Sequence, residues 1–381
     1  MKRMCLIVFA VLSATYAASA QGASCRQSWM PKDAPAFCAW RVEPSLPQAR
    51  TYLSIVASDT SIYVLGGFRY DSATNQVTYY DSVLRSMIGA DGTLGPWTAE
   101  ASFKNGHSGT GTVRVGSCMI LTGGSSSTPN SLTYYDDTQS TQIGSDGTLS
   151  PWVSSPNHLQ IPRSNHSLVA ITTDRGTFLN VVGGVAQIGQ DTVHLDTVEV
   201  AKVNSDCTVG QWTLADYHLK GDRSSPQALA VHNNVVVIGG WGDLDLIDVY
   251  DDVQVAAERA DGTPAPWRTS PGHLTTGIYG QGTLFAESPM PPNESLLFSV
   301  GGQPGTGAYA NWISYAYLRS GVAVSDAIGV WRIAPTGKLP VGIAGLGVAQ
   351  SGDRVYVIGG SDGSGRYHSD VLSAQFDFGQ P

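Results

Sequence analysis

The chain has 381 residues, a formal net charge of −9 and only 14% charged residues, with 44 Gly, 20 Pro, 9 Trp and 16 Tyr. The acidic excess argues against nucleic acid as a partner, because phosphate binding needs a basic surface that releases counterions. The glycine- and aromatic-rich balance suits many short strands joined by turns better than helices.

Residues 1–20 place Lys2 and Arg3 before an apolar run from Cys5 to Leu12, then Ala18-Ser19-Ala20 before Gln21. That order predicts a secretory signal peptide cleaved near Gln21, and thus a secreted or periplasmic protein. Removing Lys2 and Arg3, and no acid, takes the charge from −9 to −11. A lipid anchor at Cys25 is the weaker reading, since Gly22-Ala23-Ser24 offers no leucine three positions upstream. No other stretch reaches the roughly 18 apolar residues a membrane span needs.

Residues 21–35 form an N-terminal segment. Cys25 and Cys38 lie close enough in sequence to pair in an oxidising compartment, although sequence alone leaves the connectivity of Cys25, Cys38, Cys118 and Cys207 open. Cys118 sits in an apolar run, where a buried free thiol is the commoner state.

From here the chain repeats. A Gly-Gly pair closes an apolar run at Gly66-Gly67, Gly123-Gly124, Gly183-Gly184, Gly239-Gly240, Gly301-Gly302 and Gly359-Gly360, at spacings of 57, 60, 56, 62 and 58 residues. Tryptophan keeps the same rhythm at Trp40, Trp97, Trp152, Trp212, Trp267 and Trp331. Runs such as Ile62-Tyr63-Val64-Leu65 and Val235-Val236-Val237-Ile238 read as strands. Asp91-Gly92-Thr93, Asp146-Gly147-Thr148 and Asp261-Gly262-Thr263, with the variant Asp206-Cys207-Thr208, read as tight turns before a final strand carrying Trp.

Four antiparallel strands repeated six times predict an all-β, six-bladed β-propeller over residues 36–381. The blades fall at about 44–97, 98–152, 153–212, 213–267, 268–331 and 332–381 plus 36–43. The last unit ends without its own tryptophan, so the N-terminal segment near Ala39 to Val42 is expected to supply its missing outer strand and close the ring.

Leu46-Pro47-Gln48-Ala49-Arg50, Ile62 to Gly67, Tyr79-Tyr80-Asp81 and Trp97 together resemble a kelch repeat. Pro162-Arg163-Ser164-Asn165-His166 and Arg354 to Gly360 are similar, so the resemblance covers essentially all of the chain after the leader. It implies four-stranded kelch-like blades but no single function, because such propellers include peptide-binding modules, sugar mutarotases and epimerases, and copper oxidases. A copper oxidase would have seven blades and His and Tyr ligands beside a Tyr–Cys cross-link. Six repeats without such a set argue against it. The Asp-Gly-Thr turn resembles the Asp-box of sialidase-like propellers, but its Gly, Thr and aromatic fall at other offsets, so it reads as a structural turn.

In the kelch arrangement the innermost strands start at the face that carries the loops between second and third strands. Sixteen residues before the first glycine of each pair stand Arg50, His107 and Arg223, and Arg163 takes the same place in a unit with a longer hairpin. Gly277 and Ile343 stand nearby in units 5 and 6. Three guanidinium groups and an imidazole from blades 1 to 4 would suit a carboxylate or sulfate. The competing reading is that these residues belong to the repeat itself and bond backbone carbonyls between blades.

After the Gly-Gly pairs come Arg69, Trp241, Asp243, Gln303 and Asp362. Trp241 is a candidate to stack on a sugar ring and Asp243 a weak candidate acid or base. His166 is a second weak catalytic candidate, and Tyr279 a candidate channel-lining residue. No His-x-x-x-His or Cys-x-x-Cys pair reads as zinc, and Asp243-Leu244-Asp245 with Asp251-Asp252 lacks calcium-loop spacing, so neither metal nor cofactor is expected.

These readings converge on an exported binding propeller. It would recognise an acidic sugar, another carbohydrate or an extracellular protein at its central mouth. The alternatives are a mutarotase or epimerase acting on an acidic sugar, and a structural or adhesive part of an exported assembly.

Overall fold

A computed structural model describes residues 25–242, 248–287 and 295–378. The leader reading over residues 1–20 lies outside the described residues. Six four-stranded antiparallel sheets follow one another along the chain as the blades of a propeller. Blade 1 consists of Ser54–Ala57, Ser61–Leu65, Val83–Met87 and Thr98–Glu100, from the innermost strand outward. Among the described residues one helix occurs, the single turn Val324–Ala327 in blade 5.

The second strand of each blade is a continuous apolar run because neighbouring blades cover both of its faces. Its alternating side chains divide between them. Ile62 and Val64 pack with Tyr356 and Ile358 of blade 6, whereas Tyr63 and Leu65 pack with Met119 and Leu121 of blade 2. The relation passes around the ring, from Ile120 with Leu179 and Val181 to Leu296 and Phe298 with Val355 and Val357. The core is therefore distributed over the junctions between blades.

The Asp-Gly-Thr turns fasten those junctions. In each turn the Asp carboxylate accepts hydrogen bonds from the Thr backbone N–H and hydroxyl two residues on, as at Asp91 and Thr93 (3.0 and 2.6 Å). The turn then docks on the preceding blade. Tyr63 donates its hydroxyl to the Gly147 carbonyl at 2.6 Å, and Tyr356 donates to the Gly92 carbonyl at 2.8 Å.

In blade 3 the turn carries Cys207 where glycine stands elsewhere, and its φ is +69°. It is joined by a disulfide to Cys118 on the second strand of blade 2, with Cα atoms 5.3 Å apart. This corrects the expectation of a free thiol at Cys118. The apolar run reveals burial, but the partner lies 89 residues away and meets it only through blade stacking. Cys25 pairs with Cys38.

Each tryptophan stands immediately before the outermost strand and not within it, so the blades end a few residues later than 97, 152, 212, 267 and 331. Thr98–Glu100, Val153–Ser154 and Thr213–Leu214 are the outer strands of blades 1 to 3. The ring closes as the sequence predicts. Arg41–Glu43, after Trp40, pairs antiparallel with Val371–Asp377 of blade 6, and Ala36–Phe37 pairs with the far end of the same strand.

Candidate functional site

The residues read as cations of the mouth begin blades 1 to 4, and Ile278 and Ile343 stand in their place in blades 5 and 6. Their backbone carbonyls form a seam: the second glycine of each pair donates its N–H to the following blade. The six bonds run from Gly67 to His107, Gly124 to Arg163, Gly184 to Arg223, Gly240 to Ile278, Gly302 to Ile343 and Gly360 to Arg50, at 2.7 to 3.0 Å. The equivalent residues of blades 5 and 6 are thus Ile278 and Ile343, one residue beyond Gly277 in the first case.

The cationic side chains turn into their own blades. Arg50, His107, Arg163 and Arg223 are each fully buried, and each contacts the carbonyl of its own first glycine, Gly66, Gly123, Gly183 or Gly239. Arg163 also pairs with buried Glu199 at 2.7 Å, and Arg223 with Asp252 at 2.7 Å. Arg50 and Arg223 lie over the rings of Tyr80 and Tyr250, and His107 stacks on Tyr135. Burial lowers the Arg50 guanidinium to about 10, so it stays charged at neutral pH. This corrects the placement of the four at the mouth. A buried guanidinium needs acceptors, and the strained Gly-Gly corner exposes a carbonyl beside it.

The mouth is built by the residues two positions further on. Tyr52, Gly109, Asn165, Ser225, Gly280 and Gly345 all have φ between +48° and +63°, one per blade. At five of the six junctions the N–H of one bonds the carbonyl of its predecessor, as in Gly109 to Tyr52 and Asn165 to Gly109. Three are glycine, which takes this conformation freely. The other three hold Tyr, Asn and Ser in a region that costs a non-glycine residue roughly 1 kcal/mol or more. A Cβ at Gly109 would lie 2.9 Å from the Asn165 backbone nitrogen as well as 2.1 Å from its side-chain oxygen, so the position favours glycine.

The ring encloses a cavity of about 80 Å³ lined by Tyr52, Asn165, His166, Ser225, Gln227 and Gln281 among others. The Tyr52 phenol reaches across it towards Gly280, and burial pushes its pKa up to about 12. A ligand-sized pocket is about 300 Å³ or more. The ring cavity is therefore smaller than a ligand-sized pocket. Below, the innermost strands line a hydroxyl-rich channel of about 230 Å³ with Ser54, Thr112, Ser167 and Thr283.

His166 stands between the two spaces. The Gly111 N–H donates to its Nε2 at 3.2 Å, and the Thr122 hydroxyl lies 2.9 Å from the same atom. The imidazole proton consequently sits on Nδ1. Burial, helped by the charge of Arg163, drives its pKa down to about 3, so the ring is neutral and a very weak base.

Above the ring the loops between second and third strands are aromatic. Trp241 and Tyr279 lie 5.6 Å apart, His194 meets Trp241 edge-on at 4.4 Å, and Phe68 stacks on Tyr52 at 6.1 Å. Tyr309 is close enough to raise the Tyr279 pKa further after burial and Tyr52. Blades 1, 2 and 3 raise their loops as hairpins, Phe68–Asp71 with Gln76–Tyr79, Ser125–Thr128 with Ser131–Tyr134, and Val185–Ile188 with Asp191–His194. Tyr79 and Ser127 join the first two, 2.9 Å apart.

No family model matches the chain, and no curated protein matches it. Among solved structures, the one titled "Structure of YjhT" is similar, with a TM-score of 0.63 at 13% identity over 87% of this chain and 99% of that one. What the two share is the propeller fold.

The predicted site residues thus separate. Trp241 and Tyr279 stand together above the mouth and His166 lines it. Arg50, His107, Arg163 and Arg223 are bound inside their blades. Asp362 is held by His368 and Ser364 in the blade 6 loop, with its pKa near 2: burial raises it, but those hydrogen bonds and the Ser364 and Arg366 N–H groups outweigh that. Gln303 pairs with Tyr279 as a short strand, and Arg69 lies exposed on the blade 1 hairpin. Asp243 lies outside the described residues. Tyr52, Asn165 and Ser225, which line the mouth, are not among the residues the sequence singles out, although aligning the repeats two places after each cation gives a column of Tyr, Gly, Asn, Ser, Gly and Gly.

Proposed function

We propose that the protein is an exported binding propeller whose central mouth takes a carbohydrate. The observation that carries this reading is the ring of six left-handed residues, three of which hold a Tyr, an Asn and a Ser where glycine would relieve strain. Such strain concentrates at functional sites. Around these hydrogen-bonding groups stand Trp241, Tyr279 and Phe68, whose flat rings suit the apolar face of a sugar. The described lining of the cavity beneath Tyr52 offers amides, hydroxyls and a neutral imidazole, groups suited to binding. The two disulfides support an oxidising compartment.

A glycan array combined with a mutarotation assay on neutral and acidic monosaccharides tests the proposal. Binding without turnover is expected, weakened about tenfold in Trp241→Ala through loss of one stacking face. Ser225→Gly is expected to weaken binding while raising unfolding stability by about 1 kcal/mol, since glycine accepts the positive φ. Unchanged affinity in both variants, turnover, or no glycan bound would sink it.

A further inference from the structure

A second cleft opens on the same face, between the blade 1 hairpin and the blade 6 loop. It has a volume of about 310 Å³ and is lined by Arg69, Tyr70, Asp71, Ser72, Arg366 and Tyr367. Both arginines are exposed. Neither guanidinium has a hydrogen bond or ion pair to another described residue. This sets them apart from Arg85, Arg163 and Arg223, which hold Glu100, Glu199 and Asp252 of their own blades.

No carboxylate among the described residues pairs with either guanidinium, although Asp71 brings a carboxylate to the same cleft. Asp71 accepts the Ala73 N–H within its hairpin. Asp362 and Asp370 clasp the two ring nitrogens of buried His368 at 3.1 and 2.9 Å. The cleft is also pre-formed, because the Tyr367 ring meets Phe68 edge-on at 5.9 Å. Phe68 in turn stacks on Tyr52, so an aromatic path runs from the cleft to the mouth.

Two unpaired guanidinium groups in one cleft, on a chain at −9, have the chemistry to hold an oxyanion. We infer that this cleft is an anion subsite, which takes a carboxylate or sulfate ester of a saccharide whose ring lies on the aromatic platform at the mouth. The inference rests on the carbohydrate reading of that mouth. It returns an acidic ligand to the same face, through Arg69 and Arg366 and not through the four buried cations.

The test is calorimetry on the full chain with paired probes: oligogalacturonate against its methyl ester, dextran sulfate fragments against dextran, and polyglutamate. At least one acidic saccharide is expected to bind about tenfold more tightly than its neutral partner, with the advantage screened by salt. The double variant Arg69→Ala/Arg366→Ala should lose that advantage and keep the neutral partner's affinity. The galacturonate and sulfate pairs separate the two sources of the oxyanion. An acidic preference that survives the double variant, or no preference in either pair, overturns the inference. Polyglutamate binding with equal affinity and equal dependence on the two arginines overturns the saccharide assignment. Trp241→Ala separates the two readings: full binding in that variant with arginine dependence intact would remove the mouth and leave the anion cleft.

Discussion

At the scale of single residues, burial decides what a charged group does. Glu258 is almost wholly buried, accepts a hydrogen bond from the Asn180 amide at 2.8 Å through one carboxylate oxygen, and has no partner on the other. Desolvation raises its pKa from 4.5 to about 7. The unfolded chain therefore ionises first as pH rises, so the stabilisation is complete below 4.5 and is lost by about 7. The fall is of order 3 kcal/mol. Urea denaturation at several pH values should show Glu258→Gln losing this fall, and a native protein no less stable at pH 8 than at pH 4.5, relative to the variant, would refute it. The same physics explains the four buried cations. Their recurrence in four consecutive repeats was legible in the sequence, but whether such a side chain turns to the mouth or to a glycine carbonyl of its own blade was not.

At the scale of elements, the strands were readable because a fully buried second strand is a run of apolar residues ended by Gly-Gly, and six copies reinforce one another. Contacts between blades were less readable. Cys207 replaces the turn glycine at a positive φ, and the disulfide to Cys118 spans a loop of 89 residues. Cross-linking a loop of that length stabilises by about 4.6 kcal/mol in the chain-entropy model. The pair Cys118→Ala/Cys207→Ala is expected to lose most of this in chemical denaturation, and Cys118→Ala/Cys207→Gly about 1 kcal/mol less, because glycine relieves the turn. Equal stability of the two double variants would show that the φ of Cys207 carries no strain.

For the whole molecule, ring closure is held by the N-terminal strand and by one buried carboxylate in it. Glu43 accepts the Ser373 hydroxyl at 2.6 Å, the Leu94 N–H at 2.9 Å and the Arg41 guanidinium at 2.6 Å, so it joins both chain ends to the Asp-Gly-Thr turn of blade 1. Glu43→Ala leaves buried donors unmet and should cost about 3 kcal/mol. Thermal melts and limited proteolysis of the Val371–Asp377 strand would record it; unaltered cleavage and melting would place closure elsewhere.

The sequence by itself determined the six-fold repeat, the four-stranded unit and the closing strand after Trp40, because these depend on periodic burial and local turn chemistry. Only the tertiary structure decided which side chains meet at the mouth, that Cys118 finds Cys207, and that Arg69 and Arg366 share a cleft. Those facts depend on how blades are rotated against one another, and stacking brings together residues that no local pattern links.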